Sequence, residues 1–139
     1  MPIKADILAE RGLIYFKFSG YVTVGEALAS MEAITQKPEF RVGMKHFVDF
    51  QDVTDYERDY VKVLELQAKV ADHVIQDEIQ TLLVLLATTP QGREMANINV
   101  RSWEGVTTVV PVIAETEKRA LELLGEPETR IADLLANAL

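Results

Sequence analysis

The sequence predicts one α/β domain over residues 1–139, with a single mostly parallel sheet of about five strands, an N-terminal antiparallel hairpin and flanking helices. The chain has 139 residues, 48% of them hydrophobic, and no cysteine, so one core can form without disulfides. After two adjacent strand-like segments, helical and strand-like patterns alternate to the C-terminus, which is typical of right-handed parallel crossovers. The run 81–87 shows no polar alternation, as expected for a central strand covered on both faces.

The N-terminal part of the chain predicts a hairpin followed by a helix. Segments 5–10 and 13–19 have strand-like composition, and Arg11-Gly12 between them is a turn signal. Thr23 and Glu26 have the spacing of a capping box, which marks the start of a helix. We expect this helix to end before Pro38 and to cover one face of the sheet.

The middle of the chain predicts a short strand and a long amphipathic helix. Residues 46–50 form a compact apolar run, and the sequence then turns through several acidic residues. Thr54 and Glu57 again have capping-box spacing, so the second helix is expected to start there. Its apolar positions recur at three- and four-residue steps as far as Ile75.

The C-terminal part predicts a third helix, a last strand and two short helices. Thr89 suits a helix N-cap and Pro90 suits the first helical position. Residues 106–113 are expected to form the last strand, and the fourth helix that follows should end at Gly125. A final helix is expected over 127–135.

The charge balance excludes several classes of partner. With 14 Lys+Arg against 22 Asp+Glu, the net charge of -8 would repel a phosphate backbone or an anionic membrane, so no nucleic acid is expected as a partner. Charged residues near the N-terminus interrupt any signal-peptide core. The longest apolar run, 82–87, is far shorter than the ~20 residues of a membrane span. The sequence therefore predicts a cytoplasmic protein with no integral membrane segment.

One candidate anion site lies at the start of the third predicted helix. Thr88, Thr89, Gly92 and Arg93 place two hydroxyls, a small residue and a guanidinium around free helix-start amides. This position is at the carboxyl edge of the sheet, where ligands usually bind. The segment lacks a glycine-rich phosphate loop, so a nucleoside triphosphate is not expected. The alternative, a capped helix with a solvated Arg93, is favoured because Thr-Pro helix starts are common.

A group of carboxylates follows the predicted second crossover strand. Asp49, Asp52 and Asp55 could hold a hard cation or supply a general base, but turn and capping roles are favoured because no second acidic cluster accompanies them. The two histidines, His46 and His73, lie on different elements and have no metal-ligand spacing. No metal and no cofactor is therefore predicted.

Aromatic residues suggest both a pocket and a self-association surface. Trp103 directly follows the third predicted helix and could line a pocket with Tyr15, Tyr56 or Tyr60. The alternative is that Trp103 only seals the loop between helix and strand. The aromatic residues within 15–18 cannot all point to one face of a strand, so a homodimer formed through an exposed face is a further prediction.

Three segments resemble a known family. YFKFSGYVT at 15–23, HFVDFQDVTD at 46–55 and AETEKRALELLG at 114–125 are similar to uncharacterised STAS-like (SpoIIAA-like) bacterial proteins of this length. The order of elements also resembles the fold of bacterial anti-sigma-factor antagonists, over nearly the whole chain. In those antagonists a Ser or Thr at the start of a helix is phosphorylated and controls docking to a kinase. The matching position is near Thr54, where the family's Asp-Ser-(Ser/Thr)-Gly is replaced by Asp-Val-Thr-Asp.

The resemblance implies a binding function rather than catalysis. Our leading expectation is a non-enzymatic STAS-like regulatory or ligand-binding domain that binds a protein partner, or a small apolar or anionic ligand, at the carboxyl edge of the sheet. Thr54 is its candidate switch, the alternative being a simple N-cap. A related branch of the fold resembles Sec14-type lipid carriers, which implies enclosure of an apolar ligand. A small hydrolase-type enzyme with Asp49 or Asp52 as base is the remaining alternative.

Overall fold

The computed structural model describes residues 2–74 and 79–138 of the chain. Its strands are β1 (Ile3–Leu8), β2 (Leu13–Val22), β3 (Lys45–Tyr56), β4 (Thr81–Leu86) and β5 (Val109–Ala114). Its helices are α1 (Val24–Thr35), α2 (Tyr60–Val74), α3 (Pro90–Ser102), α4 (Glu117–Leu124) and α5 (Ile131–Ala138). In these ranges, no helix has the length and apolar character needed to cross a membrane.

The strands form one sheet in the order β1-β2-β3-β4-β5, so sequence neighbours are also neighbours in space. β1 is antiparallel to β2, and all other pairs are parallel. The predicted fold class, an α/β domain with a mostly parallel sheet and an N-terminal hairpin, is confirmed. Each parallel crossover moves one strand along in the same direction, and right-handed crossovers of this kind place their helices on one face.

The sheet separates two hydrophobic clusters. Alternate strand residues such as Phe16, Val48 and Leu85 point to the face covered by α1, α2 and α3. Their neighbours, among them Phe47 and Leu86, pack on the other face against α4 and α5. The absence of polar alternation in β4 follows from this arrangement, because both of its faces are buried.

Local capping signals locate three helix ends correctly. Thr23 forms the full capping box with Glu26 at the start of α1. Thr89 accepts a hydrogen bond from the Gly92 amide at the start of α3, with proline next in the chain. Gly125 ends α4 with φ 76°, a left-handed conformation that glycine adopts without a steric penalty.

The second predicted capping box is wrong. Thr54 lies inside β3, a strand of 12 residues that continues to Tyr56, well beyond the predicted end at residue 50. Glu57 does not cap its own helix, since its carboxylate accepts a hydrogen bond from the Val24 amide of α1 at 3.0 Å. α2 starts later, and Asp59 caps it by accepting from the Lys62 amide at 3.1 Å.

The cause is the pairing of β3 with β2. β2 also runs beyond its predicted end at residue 19, through Gly20 to Val22. Gly20 pairs with Val53 and Val22 pairs with Tyr56, after irregularities in register. Gly20 takes φ 67°, so the strand continues through a bulge-like distortion that favours glycine. Backbone pairing between two distant segments thus outweighs the local capping signal at Thr54.

Other boundaries differ by a few residues. β1 ends at Leu8, before a 3-10 turn over Ala9–Arg11, whereas the prediction extended it to residue 10. β5 begins at Val109 and α5 begins at Ile131, each later than predicted. The predicted end of the second helix at Ile75 lies outside the described residues.

Candidate functional site

Two adjoining cavities lie between the sheet and the helices that cover one of its faces. The first chamber, beside Tyr56, has a volume of about 120 Å³, and the second chamber, beside Trp103, has about 100 Å³. Their walls are mainly apolar. Both chambers share six lining residues, which come from β2, β3 and the three covering helices: Phe18, Ala27, Val48, Leu66, Gln67 and Asn99.

The cavity exists because α2 lies over the other helices rather than directly on the sheet. The main contacts of α2 are with α1 and α3. Only Gln67 among its residues with described side chains is fully buried, and its Nε2 donates to Ser102 Oγ at 2.9 Å. Ser102 in turn donates to the Asn99 carbonyl at 2.6 Å. One polar contact therefore holds the middle of α2 to the end of α3, above the space between helix and sheet.

Four buried polar atoms in the described part of the chain have no hydrogen-bond partner. They are Tyr56 Oη, Thr81 Oγ1, Asn99 Oδ1 and Trp103 Nε1. Every one of these residues lines one of the two chambers, and Asn99 lines both. Buried polar groups are usually paired, and an unpaired one costs roughly 1–3 kcal/mol. Their concentration at the two chambers, three of them at the second, indicates a place for a polar group that the chain itself does not supply.

Secondary structure positions the polar residues of the second chamber firmly. Thr81 opens β4, and its amide donates to the Thr108 carbonyl at 2.7 Å. Trp103 caps the end of α3, where its amide donates to the Val100 carbonyl at 3.2 Å. These backbone contacts fix the two residues independently of their side chains. The fold therefore sets the backbone positions from which these two side chains extend.

His46 adds a neutral polar group to the second chamber. It is the second residue of β3, and its ring lies 5.8 Å from that of Phe16, centroid to centroid. Burial lowers the pKa of His46 to about 4. The imidazole is therefore uncharged at neutral pH and has one donor and one acceptor nitrogen.

Tyr56 has a different environment in the first chamber. Burial, and next the nearby Glu94 carboxylate, raise the pKa of Tyr56 to about 12, so the phenol stays protonated. Arg58 lies over its ring, with the guanidinium carbon 4.5 Å from the centroid. Glu94 is close enough to act on the pKa but does not form a hydrogen bond of normal geometry with Tyr56 Oη. The second chamber, where the other three unpaired atoms gather, is therefore the better-defined binding site.

The predicted anion-binding residues form a separate group outside these chambers. Thr89 acts as the N-cap of α3, and Thr88 and Arg93 are exposed. Gly92 is buried against β3, where a Cβ atom would lie 3.1 Å from the Phe50 carbonyl oxygen. This contact accounts for the glycine by packing. Anion binding at this helix start stays a prediction.

Asp49 and Asp52 lie within β3 and not in a turn, so the favoured turn and capping roles were wrong. Asp49 is fully buried and accepts from Tyr15 Oη at 2.7 Å and from the Gln51 amide at 2.9 Å. Lys17 pairs with Asp52 at 2.9 Å and lies 3.4 Å from Asp49. Burial, and next the bond to Asp49, raise the pKa of Tyr15. Asp49 does not line either chamber, and its carboxylate is occupied by neighbours on the opposite face of the sheet.

The remaining predicted residues divide between the cavity and the surface. Tyr56 and Trp103 line the chambers, as the pocket interpretation expects. Tyr60 is 47% exposed on α2 and lines neither, and Tyr15 lies in the cluster on the opposite face of the sheet, so it does not line them either. Thr54 is exposed on β3 and not at a helix start, so the helix dipole offers no support for a phosphate there. Its role as a switch stays a prediction.

Sequence reasoning missed Thr81 and Asn99. The signal for Thr81 was available, because it is the polar first residue of an otherwise apolar strand. Asn99 gave none, since a polar residue on an amphipathic helix is ordinarily solvated. Among the side chains that the structure describes, no group of three or more acidic or histidine residues could hold a metal ion. Models of known protein families give no match to the chain, and curated proteins give none either.

Proposed function

We propose that this chain is a non-enzymatic STAS-like binding domain that encloses a small, largely apolar ligand between its sheet and helices α1, α2 and α3. One observation carries the proposal: the four unpaired buried polar atoms all belong to residues that line one of two adjoining apolar chambers, and three of these residues line the second chamber. An apolar pocket with a few fixed polar groups is the usual form of a small-molecule site. The STAS-like part rests on the resemblance and on the hairpin followed by parallel crossovers.

The size of the cavity limits the ligand. Each chamber is somewhat smaller than the engineered cavity of roughly 150 Å³ that holds benzene in another protein. The shared lining residues place the two chambers side by side. The apolar body of the ligand contributes roughly 25 cal/mol for each Å² removed from water. A ring with a short chain, or a short branched chain, fits these dimensions.

Both chambers are partly open to solvent, and movement of α2 would widen the way in. This helix lies between the cavity and the solvent, and it carries exposed apolar residues on its outer side, namely Tyr60, Val61 and Leu64. Helices that pack weakly on the core open at lower free-energy cost than the sheet they cover. The Gln67–Ser102 hydrogen bond is the contact that such an opening would break. A carrier of the Sec14 type would use this motion for loading and release.

The proposal is tested by native mass spectrometry of freshly purified protein and of two matched variants. Ala27 on α1 lines both chambers, so Ala27→Leu fills the shared space with three additional carbons. Ala68 is exposed on α2 and lines neither chamber, so Ala68→Leu is the control for the added side chain. We expect a noncovalent passenger in the wild-type protein and in Ala68→Leu, and its loss in Ala27→Leu.

Two results would count against cavity binding. A passenger retained at wild-type occupancy by a folded Ala27→Leu protein would place the ligand elsewhere. Failure of both the native protein and refolded, passenger-free protein to take up any small apolar probe would leave the cavity without a function. Circular dichroism of each variant establishes that it has folded. Protein-partner binding, homodimer formation and phosphorylation of Thr54 stay predictions from the sequence.

A further inference from the structure

The second chamber has no charged wall. None of its lining residues is Asp, Glu, Lys or Arg, and its titratable side chain, His46, is neutral at pH 7. The first chamber has one carboxylate, that of Glu57, which accepts from the Val24 amide and from Lys62 Nζ. A charged ligand group would therefore lose its hydration and find no opposite charge in the cavity, which is costly in an apolar site.

The unpaired atoms specify which hydrogen bonds a ligand must make. The indole nitrogen of Trp103 is a donor only, so the group beside it must be an acceptor. The Thr81 hydroxyl can donate or accept, and the unpaired Oδ1 atom of Asn99 accepts. A ligand group with an acceptor, or with an acceptor and a donor together, matches this set. A pure hydrocarbon would leave all three unpaired.

We propose that the ligand is an uncharged molecule with an apolar body and one polar group of the carboxamide, carbonyl or hydroxyl type, held by Trp103 and Thr81 with Asn99. This inference rests on the proposed function and adds the chemical class of the ligand. It excludes fatty-acid anions and phosphate esters as bound species. A carboxylic acid binds only in its protonated form at pH values where His46 is neutral.

Three probes of nearly equal size and shape separate the contributions of apolar contact, hydrogen bonding and charge to binding. Benzamide is neutral and hydrogen-bonding, benzoate is anionic, and isopropylbenzene is apolar. We expect benzamide to bind at least about tenfold more tightly than benzoate at pH 7, because no cation in the cavity offsets the desolvation of a carboxylate. Trp103 is the chain's one tryptophan, so its fluorescence reports binding in the wild-type protein, with NMR chemical shifts as a second measurement.

The variant Trp103→Phe tests the hydrogen bond. It removes the indole donor and keeps an aromatic ring, and we expect about a three- to tenfold loss of benzamide affinity, measured by NMR, relative to any change for isopropylbenzene. Comparing the two probes cancels the effect of the smaller ring on cavity volume. The matched control is Tyr60→Phe, an aromatic change on the exposed side of α2, which should alter neither affinity.

The outcomes distinguish this inference from the proposed function. Equal binding of benzoate and benzamide, or an equal loss of benzamide and isopropylbenzene affinity in Trp103→Phe, overturns the assigned ligand class while the cavity remains a binding site. Binding of isopropylbenzene alone has the same meaning. If none of the probes binds at millimolar concentration and the native protein carries no passenger, the proposed function itself is rejected.

Discussion

Replacement of Thr81 by valine should make the ligand-free protein more stable. Thr81 is 3% exposed, and its Oγ1 atom has no hydrogen-bond partner among the described residues. Valine has nearly the same shape and replaces the unpaired hydroxyl by a methyl group. Since burial of an unpaired polar group costs roughly 1–3 kcal/mol, we expect the free energy of unfolding to rise by about 1–2 kcal/mol in Thr81→Val. For a domain of this size that is a Tm increase of roughly 3–6 °C.

Two control variants test whether the stabilisation expected for Thr81→Val comes from removing an unpaired hydroxyl. Thr54→Val makes the same change at an exposed position of β3, where we expect an effect within about 0.5 kcal/mol. Tyr15→Phe removes a buried hydroxyl that donates to Asp49 at 2.7 Å. The buried carboxylate then loses a partner, so Tyr15→Phe should destabilise the protein by about 1.5–3 kcal/mol. Deletion of a hydroxyl thus has opposite effects on the two faces of the sheet.

The assay is urea unfolding followed by circular dichroism, on protein from which any passenger has been removed. Equal m-values would show that the variants change stability and not the surface exposed on unfolding. If Thr81→Val destabilises the protein as Tyr15→Phe does, the Thr81 hydroxyl is paired in the free protein and the reasoning about the cavity fails. Saturation of both proteins with benzamide should reduce the advantage of Thr81→Val, because the wild-type hydroxyl then gains a partner.

Further predictions concern pH and the start of α3. The pKa of His46 is about 4 in the folded protein and about 6.5 in the unfolded chain, so the unfolded chain binds the proton more readily. The free energy of unfolding of the wild type should therefore fall by up to about 3 kcal/mol as the pH falls from 6.5 to 4. Urea unfolding of His46→Leu over the same pH range should lack this decrease. Hydrogen bonds from Arg11 lower the pKa of Glu128 from 4.5 to about 2, so this pair stabilises the fold above pH 4.5 and stops doing so as the pH falls to 2. Between pH 4.5 and 2, the Tm of Arg11→Gln should fall less steeply with pH than the Tm of the wild type. An equal slope of Tm against pH in the two proteins would contradict this prediction. Loss of the N-cap in Thr89→Ala should lower the free energy of unfolding by about 1 kcal/mol, while Arg93→Ala should change it by no more than about 0.5 kcal/mol. Calorimetric titration of both variants should show unchanged benzamide binding.

Short-range signals were sufficient for much of the fold. The Thr23–Glu26 capping box, the Thr89-Pro90 helix start and the Gly125 helix end depend on hydrogen bonds within a few residues, and each lies where the sequence predicts. The apolar run of β4 correctly indicated a strand covered on both faces. With these elements in alternation, the mostly parallel sheet follows from the handedness of crossovers.

Features that depend on contacts between distant segments could not be predicted from short-range signals. Thr54 has a good local capping pattern, but its segment pairs with the distant end of β2, and the free energy of that pairing depends on residues some thirty positions apart. In the site, Tyr56 and Trp103 were expected as pocket residues from their type alone. Thr81 and Asn99 were not, because an unpaired polar atom is defined by what surrounds it after folding.

The sequence by itself determined the order of elements, most helix ends and which strand is covered on both faces, because local hydrogen bonds and hydrophobic periodicity decide these. Only the tertiary structure decided the length of β3, the position of α2 above the sheet and the cavity beneath it. Those features depend on how distant segments fill space together, since a gap between a helix and a sheet belongs to neither sequence segment alone.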